Sequence, residues 1–333
     1  MSLDIDTQTD SDVQVQGYFG PAASAQADDR GEGELLLDIA HGAILDGHAP
    51  AMPLNLLNSG LKMIRSYARD DAWADFCRRA QQHPLIELLR EDPFFARVQG
   101  KPRGYAGDAV MIDLIYRTGD CAAQVAASSP LGRALYAVNS ASAAADGVRE
   151  RRSIIAYHID NIAAARTLPT IVAVAAGHLR EAALSRAFAD GRIGRWIALD
   201  QDPDSIAEIG ASLGDRIETV ADSISVILKG DFTVTDADFV YAAGLYDYLP
   251  HAIATRLTRK LAAMLRPGGR LLFANFAADI WDAGFMEALM DWKLILRTPA
   301  DMRRIAEGAG EGFAIRQWTG THGAIHYCEL IRT

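Results

Sequence analysis

The sequence predicts a doubly wound α/β sheet of parallel strands closed by a C-terminal antiparallel hairpin, preceded by an all-helical segment. Three observations predict it. The run Thr170-Ile171-Val172-Ala173-Val174-Ala175-Ala176 is β-branched and apolar, stops at Gly177 and continues in helix-forming residues. A second apolar run, Trp196-Ile197-Ala198-Leu199, ends in Asp200, as the nucleotide-binding half of such a sheet requires. Before Leu168 no strand-like alternation of useful length occurs, whereas apolar residues recur at three- and four-residue spacing.

In chain order, residues 1–34 carry Asp4, Asp6, Asp10, Asp12, Asp28, Asp29, Glu32 and Glu34 against one base, Arg30. That composition buries too little apolar area to order itself and reads as an acidic tail, with Tyr18-Phe19 able to fold over a pocket as a lid. Residues 35–165 read as a helical substrate or cap domain. They are apolar at Leu35-Leu36-Leu37-Ile39-Ile44-Leu45 and Ile154-Ile155-Ile159-Ile162, and Pro53, Pro84, Pro93, Pro102 and Pro130 punctuate them into several helices. Residues 166–333 alternate between the two periodicities. Strands are expected near 170–176, 196–200, 216–221, 237–243 and 270–276, and helices near 179–188, 203–212, 252–265 and 299–309. Met264-Leu265-Arg266-Pro267-Gly268-Gly269 is a helix stop. The last two strands, 313–318 and 325–331, are joined by Gly320-Thr321-His322-Gly323, which suits a hairpin.

With 333 residues, of which 50% are hydrophobic, the chain can build more than one substantial core. Its 33 basic residues against 43 acidic ones give a net charge of −10, which argues against a nucleic-acid partner and for a small-molecule one. Met1 to Asp6 show no basic-then-apolar leader and no run reaches bilayer length, so a cytoplasmic protein with no membrane span is expected. Cys77, Cys121 and Cys328 lie far apart without ligand spacing; isolated buried thiols and no metal site follow. A homodimer is compatible with this composition.

The dinucleotide fingerprint needs three glycines, and only Gly177 is present where Ala175 and Leu179 would also have to be Gly. Without a pyrophosphate cradle, the ligand is read as one with a ribose and no phosphate, S-adenosylmethionine (SAM), rather than a nicotinamide dinucleotide. Five parallel strands with a terminal hairpin are the layout of a Rossmann-like class I methyltransferase. Asp200 would accept the ribose hydroxyls, with Gln201 beside it, and Ala175 and Gly177 would let the backbone approach the donor. His178, Arg180 and Glu181, on the first helical turn, would meet the carboxylate and ammonium of the methionine portion. Asp222 and Ser223 after the third strand are candidates for the adenine amino group, in competition with Gly230-Asp231-Phe232. At the end of the fourth strand, Gly244 precedes Tyr246, Asp247 and Tyr248, which with Tyr105 are the catalytic candidates: Asp247 to orient or deprotonate an acceptor, the tyrosines to line a cationic sulfonium. Arg103 would clamp an acceptor carboxylate, joined by Tyr105 and Asn275 as substrate-binding candidates. Each has a plainer reading: Asp200 and Asp108 as helix caps, Gly177 as a turn glycine, Arg180 and Glu181 as solvated charges, the tyrosines as loop packing.

Four segments, Lys101–Asp108 (KPRGYAGD), Ala176–Glu181 (AGHLRE), Ala243–Pro250 (AGLYDYLP) and Leu265–Phe276 (LRPGGRLLFANF), resemble the bacterial class I methyltransferases of extracellular-factor (3-hydroxypalmitic acid methyl ester) biosynthesis, across roughly residues 95–333. The resemblance implies methyl transfer from SAM, in ester-forming members to the carboxyl group of a fatty-acyl substrate. It implies Gly177, His178, Arg180 and Glu181 at the donor and Tyr246 to Tyr248 beside it. The first 90 or so residues lie outside the resemblance, and acceptor specificity is expected there. N- or O-methylation of an aromatic or amino-acid-derived metabolite, and a SAM-binding sensor without catalysis, are the alternatives.

Overall fold

The computed structural model describes residues 31–333. The acidic stretch through Arg30, including Tyr18-Phe19 and the lid assigned to it, lies outside the described residues. Helix α1 (Glu32–Leu45) starts before Leu35 and takes in Glu32 and Glu34, which the Tyr67 hydroxyl (2.6 Å) and the Arg79 guanidinium (2.7 Å) engage.

Eight further helices precede the first described strand: α2 (Ala51–Tyr67), α3 (Asp70–Ala80), α4 (Leu85–Leu89), α5 (Pro93–Gly100), α6 (Ala109–Tyr116), α7 (Cys121–Ala127), α8 (Pro130–Asn139) and α9 (Ala143–Ala165). Prolines set several of their starts. Pro93 and Pro130 stand at the first helical position behind Asp92 and Ser129, whose side chains accept Phe94 N–H (2.8 Å) and Gly132 N–H (2.9 Å). Pro53 does not divide a helix: it sits in the first turn of α2, where no intrahelical N–H bond is needed.

From Thr170 the chain alternates: β1 (Thr170–Val174), α10 (Arg186–Ala189), β2 (Arg195–Asp200), α11 (Pro203–Leu213), β3 (Glu218–Ala221), α12 (Ser225–Lys229), β4 (Ala237–Ala242), α13 (His251–Ala263), β5 (Leu265–Phe276), α14 (Ala283–Ala288), α15 (Pro299–Glu307), β6 (Phe313–Thr319) and β7 (Ile325–Arg332). The sheet order is β3-β2-β1-β4-β5-β7-β6. Strands β1 to β5 pair in parallel, and β7 runs antiparallel to β5 and β6, so the expected parallel sheet with a terminal hairpin is present. Strand order reverses between β1 and β4, and in open α/β sheets the crevice at that switch point is where ligands bind.

Strand alternation splits the core by face. Ile171, Ala173, Phe239 and Tyr241 point to the side of α9, whereas Val172, Val174, Val240 and Ala242 point to α12, α13 and α15. Because α9 lies on β4 and β7, the core of the N-terminal helices runs without interruption into one face of the sheet. The helix expected over 179–188 is broken into a 3₁₀ turn (Arg180–Leu184) and α10. The break is built by Ser185, which caps Phe188 N–H (3.1 Å), and by Asp160 of α9, which accepts the Ser185 hydroxyl (2.7 Å) and Ala187 N–H (2.9 Å). The three cysteines are buried and unpaired. Among the described residues no helix is long and apolar enough to cross a membrane.

Candidate functional site

A cavity of about 590 Å³ opens at the carboxyl ends of β1, β2 and β4, a size typical of small-molecule sites. The loop leaving β1 is left-handed at Ala175 (φ 54°), Gly177 (φ 55°) and Leu179 (φ 53°). Glycine takes this conformation freely, while Ala175 and Leu179 each cost on the order of 1–2 kcal/mol. Burial of Leu179 and the bonds from Ala176 N–H to Leu199 O (3.1 Å) and Gly177 N–H to Asp200 Oδ2 (2.7 Å) hold the loop there.

Asp200 is buried at the cavity wall, with Oδ2 on Gly177 N–H and Oδ1 on Asp202 N–H (2.9 Å). Each oxygen keeps capacity for one more donor. Burial pushes this carboxyl up and the two N–H bonds oppose it. Gln201 follows at the rim, and Asp202 turns away to cap α11 through Asp204 N–H (3.1 Å). Asp202 also takes Arg103 (2.6 Å), which further reaches Ser205 Oγ (3.2 Å). Arg103 therefore lines the cavity beside Tyr105 with its charge already paired, contrary to its expected use as a free carboxylate clamp. Asp108 caps α6 through Met111 N–H (2.8 Å) and pairs with Arg97 (2.7 Å).

His178, Arg180 and Glu181 all line the cavity, and each already holds a partner within the protein. Asp113 of α6 accepts Arg180 Nε (2.8 Å) and Nη2 (2.6 Å), and Arg180 also meets Glu208 (2.9 Å). Asp113 Oδ2 holds His178 Nδ1 at 2.8 Å, leaving the buried Nε2 without a partner. Burial raises the Asp113 carboxyl, yet the Arg180 and His178 contacts outweigh it and bring it down to about 2. Glu181 accepts the Tyr241 hydroxyl (2.5 Å), and its burial pushes its carboxyl up. The 3₁₀ turn replaces the helix start whose field these residues were expected to share.

Ala175, Asp222, Ser223 and Gly244 also line the cavity, whereas the competing Gly230-Asp231-Phe232 segment does not. The turn after β4 separates its three candidates. Asp247 and Tyr248 face the cavity. Asp247 Oδ1 accepts Phe276 N–H (2.7 Å), and burial, the largest influence, pushes its carboxyl up to about 6. The Tyr248 hydroxyl accepts Trp292 Nε1–H (3.0 Å). Tyr246 is a correction: it is fully buried on the opposite face of the sheet, stacked on Phe273 (4.3 Å between centroids) with its hydroxyl on Thr258 (2.8 Å). Asn275 is another. It is fully buried outside the cavity, donating to Ile295 O (2.8 Å) and accepting from Arg297, which itself donates to Tyr246 O (2.6 Å). Alternation along β5 turns Asn275 away while its neighbour Phe276 lines the cavity, and the 3₁₀ turn Tyr246–Tyr248 sends Tyr246 behind the sheet.

Sequence reasoning missed Asp113, Arg151, Tyr241, Phe276 and Trp292, all of which line the cavity. Asp113 carried a signal, as the single charge in the otherwise apolar helix Ala109–Tyr116. Arg151 carried another, lying three residues after buried Val148 and four before buried Ile155 on one stripe of α9.

No family model matches the chain, and no curated protein does. Among solved structures, a possible exported protein from Bordetella parapertussis is similar at 20% identity over 80% of this chain and 98% of that one, with a TM-score of 0.58. A magnesium protoporphyrin IX methyltransferase from Synechocystis PCC 6803 with bound SAM is similar at 15% identity over 57% of this chain and 84% of that one (TM-score 0.40). The N-methyltransferase NodS from Bradyrhizobium japonicum WM9, in complex with S-adenosyl-L-homocysteine (SAH), is similar at 14% identity over 55% and 87%, with a TM-score of 0.41. At such identities the likeness is one of fold.

Proposed function

We propose that this chain is a SAM-dependent methyltransferase acting on a small molecule, and that it methylates a carboxyl oxygen. One observation carries the donor assignment: the Asp200 carboxylate at the end of β2, one strand from the switch point, is anchored on Gly177 N–H over a loop with a single glycine. That arrangement suits a ribose and offers no cradle for phosphates. Asp200 would hold the ribose hydroxyls, Asp222 and Ser223 the adenine, and the backbone from Ala175 to Leu179 the methionine portion. The bound donor supplies a methyl group on a cationic sulfur. The protein's own task is alignment and exclusion of water, with Tyr105, Phe276 and Trp292 walling the cavity.

A carboxylate acceptor is ionised at neutral pH and needs no base. Its apolar remainder has a place to go. A second cavity of about 200 Å³ shares Val148, Phe276 and Trp292 with the first and continues among Leu54, Phe94 and Ile115 of the helical segment, closed on its other side by Phe285 and Met290 around α14. Residues 35–165 thus serve as the acceptor-covering part of the enzyme, in keeping with the resemblance to the fatty-acyl methyl ester biosynthesis proteins. One observation favours a second reading, an acceptor that must lose a proton: His178 is oriented by Asp113 and has an unpartnered Nε2. Incubation with methyl-labelled SAM and a bacterial small-molecule extract, with mass determination of the labelled product, tests both. A base-labile methyl ester supports the first reading, an ether or methylamine the second, and no labelled product from any fraction contradicts both.

A further inference from the structure

Three guanidinium groups line the main cavity, and two of them are already paired: Arg103 with Asp202, and Arg180 with Asp113 and Glu208. The third, Arg151, is only 4% exposed, and no carboxylate lies within ion-pair distance of it among the described residues. Its single hydrogen bond runs from Nη1 to Ala243 O (2.8 Å), and its Nε has no partner. Its Nη2 lies against Gly244 at the carboxyl end of β4, so close that a Cβ built on Gly244 would stand 3.4 Å from that nitrogen. The nearest acids are engaged elsewhere, Glu181 by the Tyr241 hydroxyl and Asp247 by Phe276 N–H. Both carboxylates act on Arg151 only through space, without direct contact; a buried guanidinium with no direct carboxylate partner at a cavity wall is one that a ligand completes.

We propose that Arg151 is the carboxylate-binding residue of this cavity, taking the part that the AGHLRE segment suggested for Arg180. The inference rests on the SAM reading of the cavity. Two carboxylates are compatible with its position: that of the donor's methionine portion and that of an acceptor. Arg151 reaches the site because α9 lies across β4, with Gly147, Val148, Arg151 and Ile155 turned inward. A planar guanidinium fits either carboxylate in two-point fashion, which a lysine does not reproduce.

Calorimetric titration of the full chain and of Arg151→Met and Arg151→Lys tests this, with thermal melts to establish that the variants are folded. The probes are SAH; 5′-methylthioadenosine, which has the adenosyl thioether but no carboxylate; and hexanoate added to SAH-saturated protein. If Arg151 holds the donor's carboxylate, Arg151→Met loses about 10-fold or more in SAH affinity while 5′-methylthioadenosine binds as to the wild type, and Arg151→Lys recovers part of the loss. If it holds the acceptor's, SAH affinity is unchanged and hexanoate binding is lost. Unaltered binding of all three probes, or an equal loss for SAH and 5′-methylthioadenosine, overturns the proposal. Wild-type protein that binds neither adenosyl compound overturns the donor reading itself, a result distinct from any of these, and the Arg151 proposal falls with it.

Discussion

Asp113 and Arg180 form a two-point ion pair, Oδ1 to Nε at 2.8 Å and Oδ2 to Nη2 at 2.6 Å, that ties α6 of the helical segment to the loop leaving β1. The same carboxylate fixes His178, so one acid positions two of the residues at the mouth of the sheet. Asp113→Ala is expected to destabilise the protein by about 2–3 kcal/mol, below the full value for a buried pair because Glu208 still meets Arg180. The pH dependence has a definite sign. With its carboxyl lowered to about 2 in the fold, Asp113 contributes stability above its unfolded value near 4, and that contribution is lost as pH falls through about 2. Thermal midpoints of wild type and Asp113→Ala should therefore differ at pH 7 and draw together at the acid end. A constant difference down to pH 2 would contradict the assignment.

Asp200→Ala should weaken SAH binding by about 10- to 100-fold, as expected for loss of charged hydrogen bonds to two ribose hydroxyls. Asp200→Asn keeps an acceptor for Gly177 N–H and should lose less. Circular dichroism and calorimetry on the same samples separate the binding loss from a folding loss, and unchanged affinity in a folded Asp200→Ala protein removes Asp200 from the site.

Asp247 behaves in the opposite way to Asp113. Burial holds its carboxyl at about 6, above the unfolded value near 4, so its neutral form favours the fold below pH 4 and that advantage disappears as pH rises through 6. Asp247→Asn should consequently be more stable than the wild type at pH 8, by up to about 3 kcal/mol, and equal to it near pH 4. Lower methyl transfer in the same variant would mark a group kept ionised for function at the expense of stability. Melting curves across pH 4–8 that run parallel for the two proteins exclude this account.

Gly107 faces the Tyr248 hydroxyl so closely that a Cβ there would overlap it, with Trp292 next nearest at 3.3 Å. Gly107→Ala should destabilise by about 1–3 kcal/mol through overpacking. Adding Tyr248→Phe removes the overlapped oxygen, and the double variant should recover more than half of the loss. Additive effects in the double-mutant cycle would show that the two residues do not meet.

The parallel sheet and its hairpin were legible because short continuous apolar runs bounded by turn residues are local signals, and the position of Gly177, Asp200 and Asp247 at the sheet's carboxyl edge was legible because each comes after such a run. Side-chain partners were not. Arg180 looked available for a ligand until Asp113, 67 residues earlier, was seen to hold it. Arg151 sits among four consecutive charged residues, Arg149-Glu150-Arg151-Arg152, which mask its place on the apolar stripe of α9, and the packing of α9 on β4 is what brings it to the cavity. Tyr246 and Asp247 are adjacent in sequence, yet the turn sends them to opposite faces of the sheet.

The central claim is that the cavity at the β1–β4 switch point binds an adenosyl methyl donor. Isothermal titration of the wild-type chain with SAH tests it most directly. The account predicts saturable binding at one site per chain, abolished or strongly weakened in folded Asp200→Ala. Absence of saturable SAH binding to the folded wild-type chain would contradict it.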